Sequence, residues 1–283
     1  MARSTDISPI SQLLSRVDAV ADGAPAMDTI ASGFPSLDRM LGGGLRRGDL
    51  VILGGDVASG KSALALAVAL RAAGQHAHVA FYSADMTPPR VMERALAIEG
   101  RVRVDDLRQG SLSDEARAAV GAAAVRLRDA MPAIDRMPAG GVAALAADLE
   151  TRPDVELVIV DGLESLVPGA GLLDEELAAT ARQLKALALD VNVAIFCTSH
   201  LPGLAAREDR WPHLDDFGAM GAVKQHADVV LALFREGMYD PRREIEGATE
   251  LLVRKNRNGA TGYVDLYFYA QWLRFEDVLD PDR

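Results

Sequence analysis

The sequence predicts an α/β fold: a mostly parallel, twisted sheet with helices on both faces and an antiparallel extension at the C-terminal side. Two observations carry this expectation. From about Ile30, short β-branched and Leu-rich runs alternate with Ala/Leu-rich helical stretches. In the last third the helices stop, and two strand-like runs are joined by the turn-forming segment RKNRNGATG.

Residues 8–21 are expected to form an amphipathic helix. Ser8 suits the N-cap, Pro9 suits the first turn, and Ile10, Leu13, Leu14, Val17 and Val20 recur at helical spacing. A lone helix of this length is unstable by itself, so its apolar stripe must dock on this domain or on a neighbouring chain. DGAPAMDT follows as a linker. Ser36–Leu41 reads as a short helix stopped by Gly42, Gly43 and Gly44. Asp49–Leu53 and His78–Ser83 read as strands around the helix Lys61–Ala73. Pro89–Glu99, Ser113–Asp129 and Val142–Leu149 read as helices, and Val155–Val160 and Val193–Thr198 as strands flanking the helix Asp174–Leu189. Val229–Phe234, Thr249–Val253 and Tyr263–Tyr269 read as strands, the last two a hairpin that Trp272–Phe275 extends.

The 283 residues suit one large domain or one domain with an appendage. Hydrophobic residues make up 49% and charged residues 25%, which excludes a disordered or collagen-like chain. The formal charge of −11 excludes a general polyanion binder, so any nucleic-acid contact must use a local basic patch. Cys197 is the single cysteine, so neither an intramolecular disulfide nor a Cys-rich zinc site is expected. The opening MARSTDISPISQ has no apolar signal core, and no apolar run approaches the ~20 residues of a membrane span. A cytoplasmic location without membrane contact is the expectation.

Gly55-Asp56-Val57-Ala58-Ser59-Gly60-Lys61-Ser62 matches GxxxxGK[ST] between a strand and a helix. Glycines there let backbone N–H groups curl around phosphate oxygens at a helix N-terminus. Lys61 is the candidate for the β/γ-phosphates of ATP, and Ser62 for Mg²⁺. Leu157-Val158-Ile159-Val160-Asp161 reads as a strand ending in a second Mg²⁺ ligand, Asp161. Hydrolysis needs a carboxylate to orient water. Asp85, after FYSA, is the leading candidate, and Glu164, three residues past Asp161, is the rival. His200 ends another strand and is a candidate γ-phosphate sensor.

These segments, in this order from about Ile30 to Asp277, resemble the RecA-like motor domain of DnaB-type replicative DNA helicases. The segments that carry the resemblance are SGFPSLDRMLGGGL, GDLVILGGDVASGKSALALAVAL, FYSADMTPPRVMERALAIEG, LVIVDGLESL, ARQLKALALDVNVAIFCTSHL, GAVKQHADVVLALFRE and LLVRKNRNGATGYVDLYFYAQWLRFED. The last two are the specific ones, because a P-loop alone is shared by many families. The resemblance implies a RecA-like P-loop NTPase fold with a linker helix and linker in residues 1–29 and a motor domain in 30–283. It implies that Lys255 and Arg257 enter the ATP site of the neighbouring subunit. On the geometry of a regular strand, residues two apart project to one side, so both cations are expected to stand outward on the hairpin.

The sequence departs from the family at several positions. Asp85 stands where the family carries Glu, and His200 where it carries Gln. Phe217-Gly218-Ala219 replace a stretch that usually offers an Arg. The loop Pro168–Leu173, which lines the DNA channel in the family, has no basic residue. Arg207 and Arg210 are the available substitutes, interleaved with Glu208 and Asp209. No counterpart of the family's helical N-terminal domain is read here, so the resemblance leaves contact with primase and collar formation open. The reading that follows is an ATP-dependent helicase, a hexameric ring moving on single-stranded DNA. Two alternatives fit the same residues: a RecA-like ATPase of the RadA or KaiC type, and a nucleotide-binding ring protein that regulates another helicase with little unwinding of its own.

Overall fold

The computed structural model describes residues 8–23, 28–169, 171–201, 204, 207–218, 222–239 and 245–278. It opens on helix α1 (Pro9–Ala21), followed by a two-stranded ribbon of β1 (Thr29–Ile30) and β2 (Leu45–Arg46) around α2 (Pro35–Met40). The parallel part of the main sheet comprises β3 (Leu50–Gly55), β4 (Val79–Ser83), β5 (Ala133–Arg136), β6 (Leu157–Asp161), β7 (Ala194–His200) and β8 (Val229–Phe234). Strands β9 (Ala248–Asn256), β10 (Gly262–Tyr269) and β11 (Arg274–Asp277) continue it antiparallel. The order across the sheet is β11-β10-β9-β8-β3-β7-β6-β4-β5.

The sheet forms because its central strands are apolar on both faces and lie between helices. In β3, Val51 and Leu53 join the core beneath α3 (Lys61–Gly74), while Leu50 and Ile52 join the core on the opposite face with α7 (Gly141–Glu150) and α8 (Leu173–Asp190). Helix α3 is apolar almost all round, which fits a helix enclosed by the sheet, β11 and α4 (Pro88–Gly100). Each fully buried Leu of these layers contributes about 1.5–3 kcal/mol. Cys197 sits wholly buried in β7, where burial pushes its thiol up from the usual range. Among the described residues no helix is long and apolar enough to cross a membrane.

The expected elements form with ends shifted by a few residues, as is usual where caps and strand pairing set the boundary. Ser8 caps α1, accepting from Ser11 N at 3.2 Å, and Ser113 caps α6 (Asp114–Asp129). Ile10, Leu13, Leu14, Val17 and Val20 are all exposed, so α1 does not bury its stripe on its own protomer. Residues 24–27 of the expected linker lie outside the described residues. The sequence reading has no counterpart of α5 (Val104–Gln109), β5, α9 (Val223–His226) or the β1–β2 ribbon. These are short pieces, and β5 is an edge strand with one buried residue of four, too little for a periodic signal.

The register brings distant residues to one edge. Gly55 pairs with His200 and Ser83 with Asp161, so the C-terminal ends of β3, β4, β6 and β7 lie side by side. Strand β7 separates β3 from β6. That edge is where an open α/β sheet presents its ligand crevice.

Candidate active site

At this edge the chain leaves β3 through a tight loop and enters α3. Gly60 is in the left-handed region at φ 105°, and a Cβ there would meet Phe275 Cζ at 2.9 Å. A Cβ on Gly55 would meet Ser59 Oγ at 2.7 Å. Gly60 therefore demands glycine and Gly55 is tightly enclosed, and the loop backbone is left free to face a phosphate at the N-terminus of α3. Ala58 is also in the left-handed region, at φ 64°, an uncommon conformation for a residue with a Cβ. Asp56 is fixed twice: Oδ1 accepts from Val57 N at 2.7 Å and Oδ2 from the Tyr239 hydroxyl at 3.1 Å. Lys61 is buried, and its ammonium donates to Gly55 O at 2.8 Å and Asp56 O at 2.9 Å. Burial lowers its pKa from the usual lysine value, against the pull of Glu164, Asp56 and Asp161.

Asp161 lies across the cleft, 4% exposed. Its Oδ1 accepts from Ser62 Oγ and Thr198 Oγ1, both at 2.9 Å. Its Oδ2 is buried without a hydrogen-bond partner among the described residues. Burial raises this carboxyl above the usual range, and the Ser62 and Thr198 hydroxyls only partly offset it. A buried carboxylate oxygen without a partner, beside a serine hydroxyl, is the donor set a divalent cation takes. Ser62 and Asp161 thus fit Mg²⁺.

The two candidate carboxylates differ in their restraint. Thr87 occupies the N-cap position of helix α4 without a side-chain capping bond, and Asp85, two residues before it, lines the cleft without a hydrogen bond among the described residues. Glu164 sits on a short 3₁₀ turn, Leu163–Leu166, and its Oε1 is held by Ser199 Oγ at 2.8 Å and His200 N at 2.7 Å. The His200 side chain is exposed and also lines the cleft.

The remaining wall comes from residues that sequence reading does not single out. Arg94 on α4 and Arg235 after β8 line the same cleft of about 390 Å³, together with Phe268, Ala270 and Leu273. The Arg235 guanidinium lies over the Phe268 ring, 4.6 Å from its centroid. Only the sheet order brings β8, β10 and α4 to the P-loop, so no local motif marks these residues.

Lys255 and Arg257 are not in this cleft. Asn256 pairs with Val229, which is level with Val51 at the start of β3. Four residues separate Val51 from Gly55, about 13 Å at a strand rise of ~3.3 Å. The hairpin cations therefore lie at the opposite end of the sheet from their own P-loop. The expectation that both stand outward needs correction. Lys255 Nζ is folded in, donating to Lys224 O and Ala227 O at 2.6 Å each. Arg257 is 53% exposed, with Nε 2.8 Å from Asp228 Oδ1. The register shift between β8 and β9 at Val230/Leu231 inserts Arg254 ahead of Lys255 and turns Lys255 to the face opposite Val253, and β9 ends at Asn256, so Arg257 lies beyond the regular alternation.

Arg207 and Arg210, the expected substitutes for DNA contact, are also engaged within the chain. Arg207 forks onto Asp216 at 2.8 and 3.1 Å and donates to Trp211 O at 3.0 Å. Arg210 donates to Tyr239 O at 3.1 Å and covers the Tyr239 ring. The loop that starts at Pro168 is fastened by Glu176, which accepts from Gly169 N and Gly171 N at 2.9 and 2.6 Å. Gly218 lies within the described residues, whereas Ala219 lies outside them.

Residues 29–277 match the family model of the DnaB-like helicase C terminal domain. The chain belongs to this DnaB-like family. The replicative DNA helicase DnaC of Bacillus subtilis is 31% identical over 244 residues, 83% of this chain and 54% of that protein. The replicative DNA helicase DnaB of Leifsonia xyli is 32% identical over 242 residues, with 83% and 53% covered. The chain spans about half the length of the curated relatives it matches. In solved structures, a DnaB-like replicative helicase superposes with a TM-score of 0.85 at 23% identity, covering 96% of this chain and 67% of that one. A KaiC-like protein of Pyrococcus horikoshii reaches 0.60 at 14%, covering 88% and 98%. The expected fold is thus the observed one, and the DnaB-like reading outranks the KaiC-type alternative.

Proposed function

We propose that this chain is the ATP-hydrolysing motor of a DnaB-like helicase, a hexameric ring that moves along single-stranded DNA in its central channel. Residues 30–283 form the motor and residues 1–29 the linker helix and linker, with a cytoplasmic location. The observation that carries the reading is the polarity of the sheet. The phosphate loop lies at one end, and the family's trans cations, Lys255 and Arg257, at the other. In one protomer they cannot meet, whereas a neighbouring copy can complete the site.

Within a site, the P-loop amides from Gly55 to Gly60 hold the phosphates, and Lys61 leaves its carbonyl partners for the β/γ-phosphates. Ser62 and Asp161 hold Mg²⁺, which when bound offsets charge on the phosphate oxygens. Asp85 orients the attacking water, because Glu164 is already held by two donors. His200 senses the γ-phosphate. Arg235 and Phe268 offer the stacked wall for the base, and Arg94 adds positive charge beside Asp85 and Asp161.

The test is mass measurement with and without ATP and Mg²⁺, combined with ATP turnover in the presence of single-stranded DNA. A ring whose turnover is stimulated by DNA supports the motor, and a monomer under all conditions overturns it. A second reading, a regulatory ring with little unwinding, is favoured by one set of contacts: Arg207 and Arg210 are bound within the protomer and the loop at 168–173 has no base. A ring that hydrolyses ATP without response to DNA supports that reading instead.

A further inference from the structure

Asp228 is the meeting point of three elements. It follows α9, precedes β8 and is 1% exposed. Its Oδ2 accepts from Leu50 N at 2.9 Å and lies 2.6 Å from Lys185 Nζ on α8. Its Oδ1 faces Arg257 Nε at 2.8 Å, and its backbone O accepts from Arg257 N at 2.9 Å. Lys185 is itself placed by Gly48 O at 2.7 Å, with Asp49 at 3.6 Å. A buried carboxylate with two cations and an amide around it is held in one position.

The two hairpin cations use their nitrogens differently. Lys255 has one side-chain nitrogen, and it is engaged by the Lys224 and Ala227 carbonyls beside α9. Arg257 meets Asp228 as an ion pair, with Nε its nearest nitrogen at 2.8 Å, and no nitrogen of its guanidinium makes a hydrogen bond among the described residues. A guanidinium can be gripped at Nε and still present its terminal pair to an oxyanion, which an ammonium cannot do. Phosphoryl transfer depends on such a cation being placed to about an ångström.

From this we infer that Asp228 is the positioning residue of the trans arginine: it fixes Arg257 by Nε so that the terminal nitrogens face the γ-phosphate of the neighbouring subunit, while Lys255 anchors the base of the hairpin. This rests on the trans reading proposed above.

The experiment mixes two full-length variants. Donor subunits carry Lys61→Ala and keep their arginine, and acceptor subunits carry Arg257→Ala and keep their P-loop. Turnover in the mixture arises only where a donor arginine faces an acceptor P-loop. Adding Asp228→Asn to the donor is expected to lower kcat ~10- to 10²-fold with the KM for ATP unchanged. Adding Asp228→Asn to the acceptor is expected to change neither value, since that subunit has no arginine to position. Equal loss in both arms, or loss in neither, overturns the positioning role while the trans reading stands. An inactive parent mixture, in verified mixed rings, overturns the trans reading and this role with it. If Asp228→Asn fails to assemble, donor Arg257→Lys probes the same contact. It is expected to be nearly as inactive as a donor without the arginine, and a donor retaining half the turnover overturns the proposal.

Discussion

Asp277 accepts both hydrogen bonds that Ser36 can donate, from its backbone N at 2.7 Å and its hydroxyl at 2.8 Å, across 241 residues of chain. Helix α2 has Phe34 at its N-cap and no side-chain cap of its own, so the last strand supplies one. The contact is fully buried at Asp277. Asp277→Ala leaves two buried donors without a partner and is expected to cost about 2–4 kcal/mol. Denaturant unfolding with an unchanged m value checks this, and a loss below ~0.5 kcal/mol would contradict it.

The freedom of Asp85 against the restraint of Glu164 makes a kinetic contrast. Asp85→Ala is expected to lower ATP turnover at least ~10²-fold. Asp85→Glu is expected to keep or raise it, because the longer carboxylate matches the family's residue. Steady-state turnover of these variants and Glu164→Ala assigns the role. Normal turnover in Asp85→Ala together with loss in Glu164→Ala reverses the assignment.

Arg257→Ala is expected to fold and bind ATP while hydrolysing it at least ~10³-fold more slowly. It also removes one partner of the buried Asp228, although Leu50 N and Lys185 remain. Because Arg257 is half exposed, a stability loss of about 1–2 kcal/mol accompanies the kinetic effect. A thermal melt and a nucleotide-binding titration measure the two separately.

The exposed row Ile10, Leu13, Leu14, Val17 and Val20 on α1 predicts an intermolecular contact. Deleting residues 1–24 is expected to lower the light-scattering mass at a given concentration. An unchanged mass would make α1 dispensable for assembly.

Burial raises the Asp161 carboxyl, so the folded protein protonates it at a higher pH than an unfolded chain would. The ionised form therefore opposes folding at neutral pH, and the proposed Mg²⁺–nucleotide binding, which would need that form, would be the linked gain. Mg²⁺-dependent nucleotide affinity is expected to fall on acidification before ordinary carboxylates titrate. Asp161→Asn is expected to abolish that pH dependence without lowering the melting temperature in the absence of nucleotide. Calorimetric titrations across pH test both statements.

Much of this site is legible in the sequence because it is local. Gly55–Ser62 and Leu157–Asp161 each place their chemistry within one strand and its exit, and the apolar runs define the strands. Arg94, Arg235 and Phe268 are illegible because they meet only through the order of strands and the fold of α4 over them. The fate of Lys255 is illegible for a different reason: a single register shift redirects it, and nothing in RKNRNGATG announces where an extra residue enters the ladder. The engagement of Arg207 likewise depends on Asp216, nine residues away across an irregular turn.

The two ends of the sheet differ in kind, and this has an arithmetical consequence for assembly. A contact that joins unlike ends cannot be satisfied twice between two copies, because it is not self-complementary. With the arginine supplied in trans, as proposed above, an open row of n copies would leave one P-loop without an arginine and one arginine without a P-loop, hence n − 1 complete sites. Only closure fills them all. On that proposal, turnover per subunit would gauge closure: it is expected to climb with protein concentration as rows lengthen and to reach its ceiling when the ends of the row find each other.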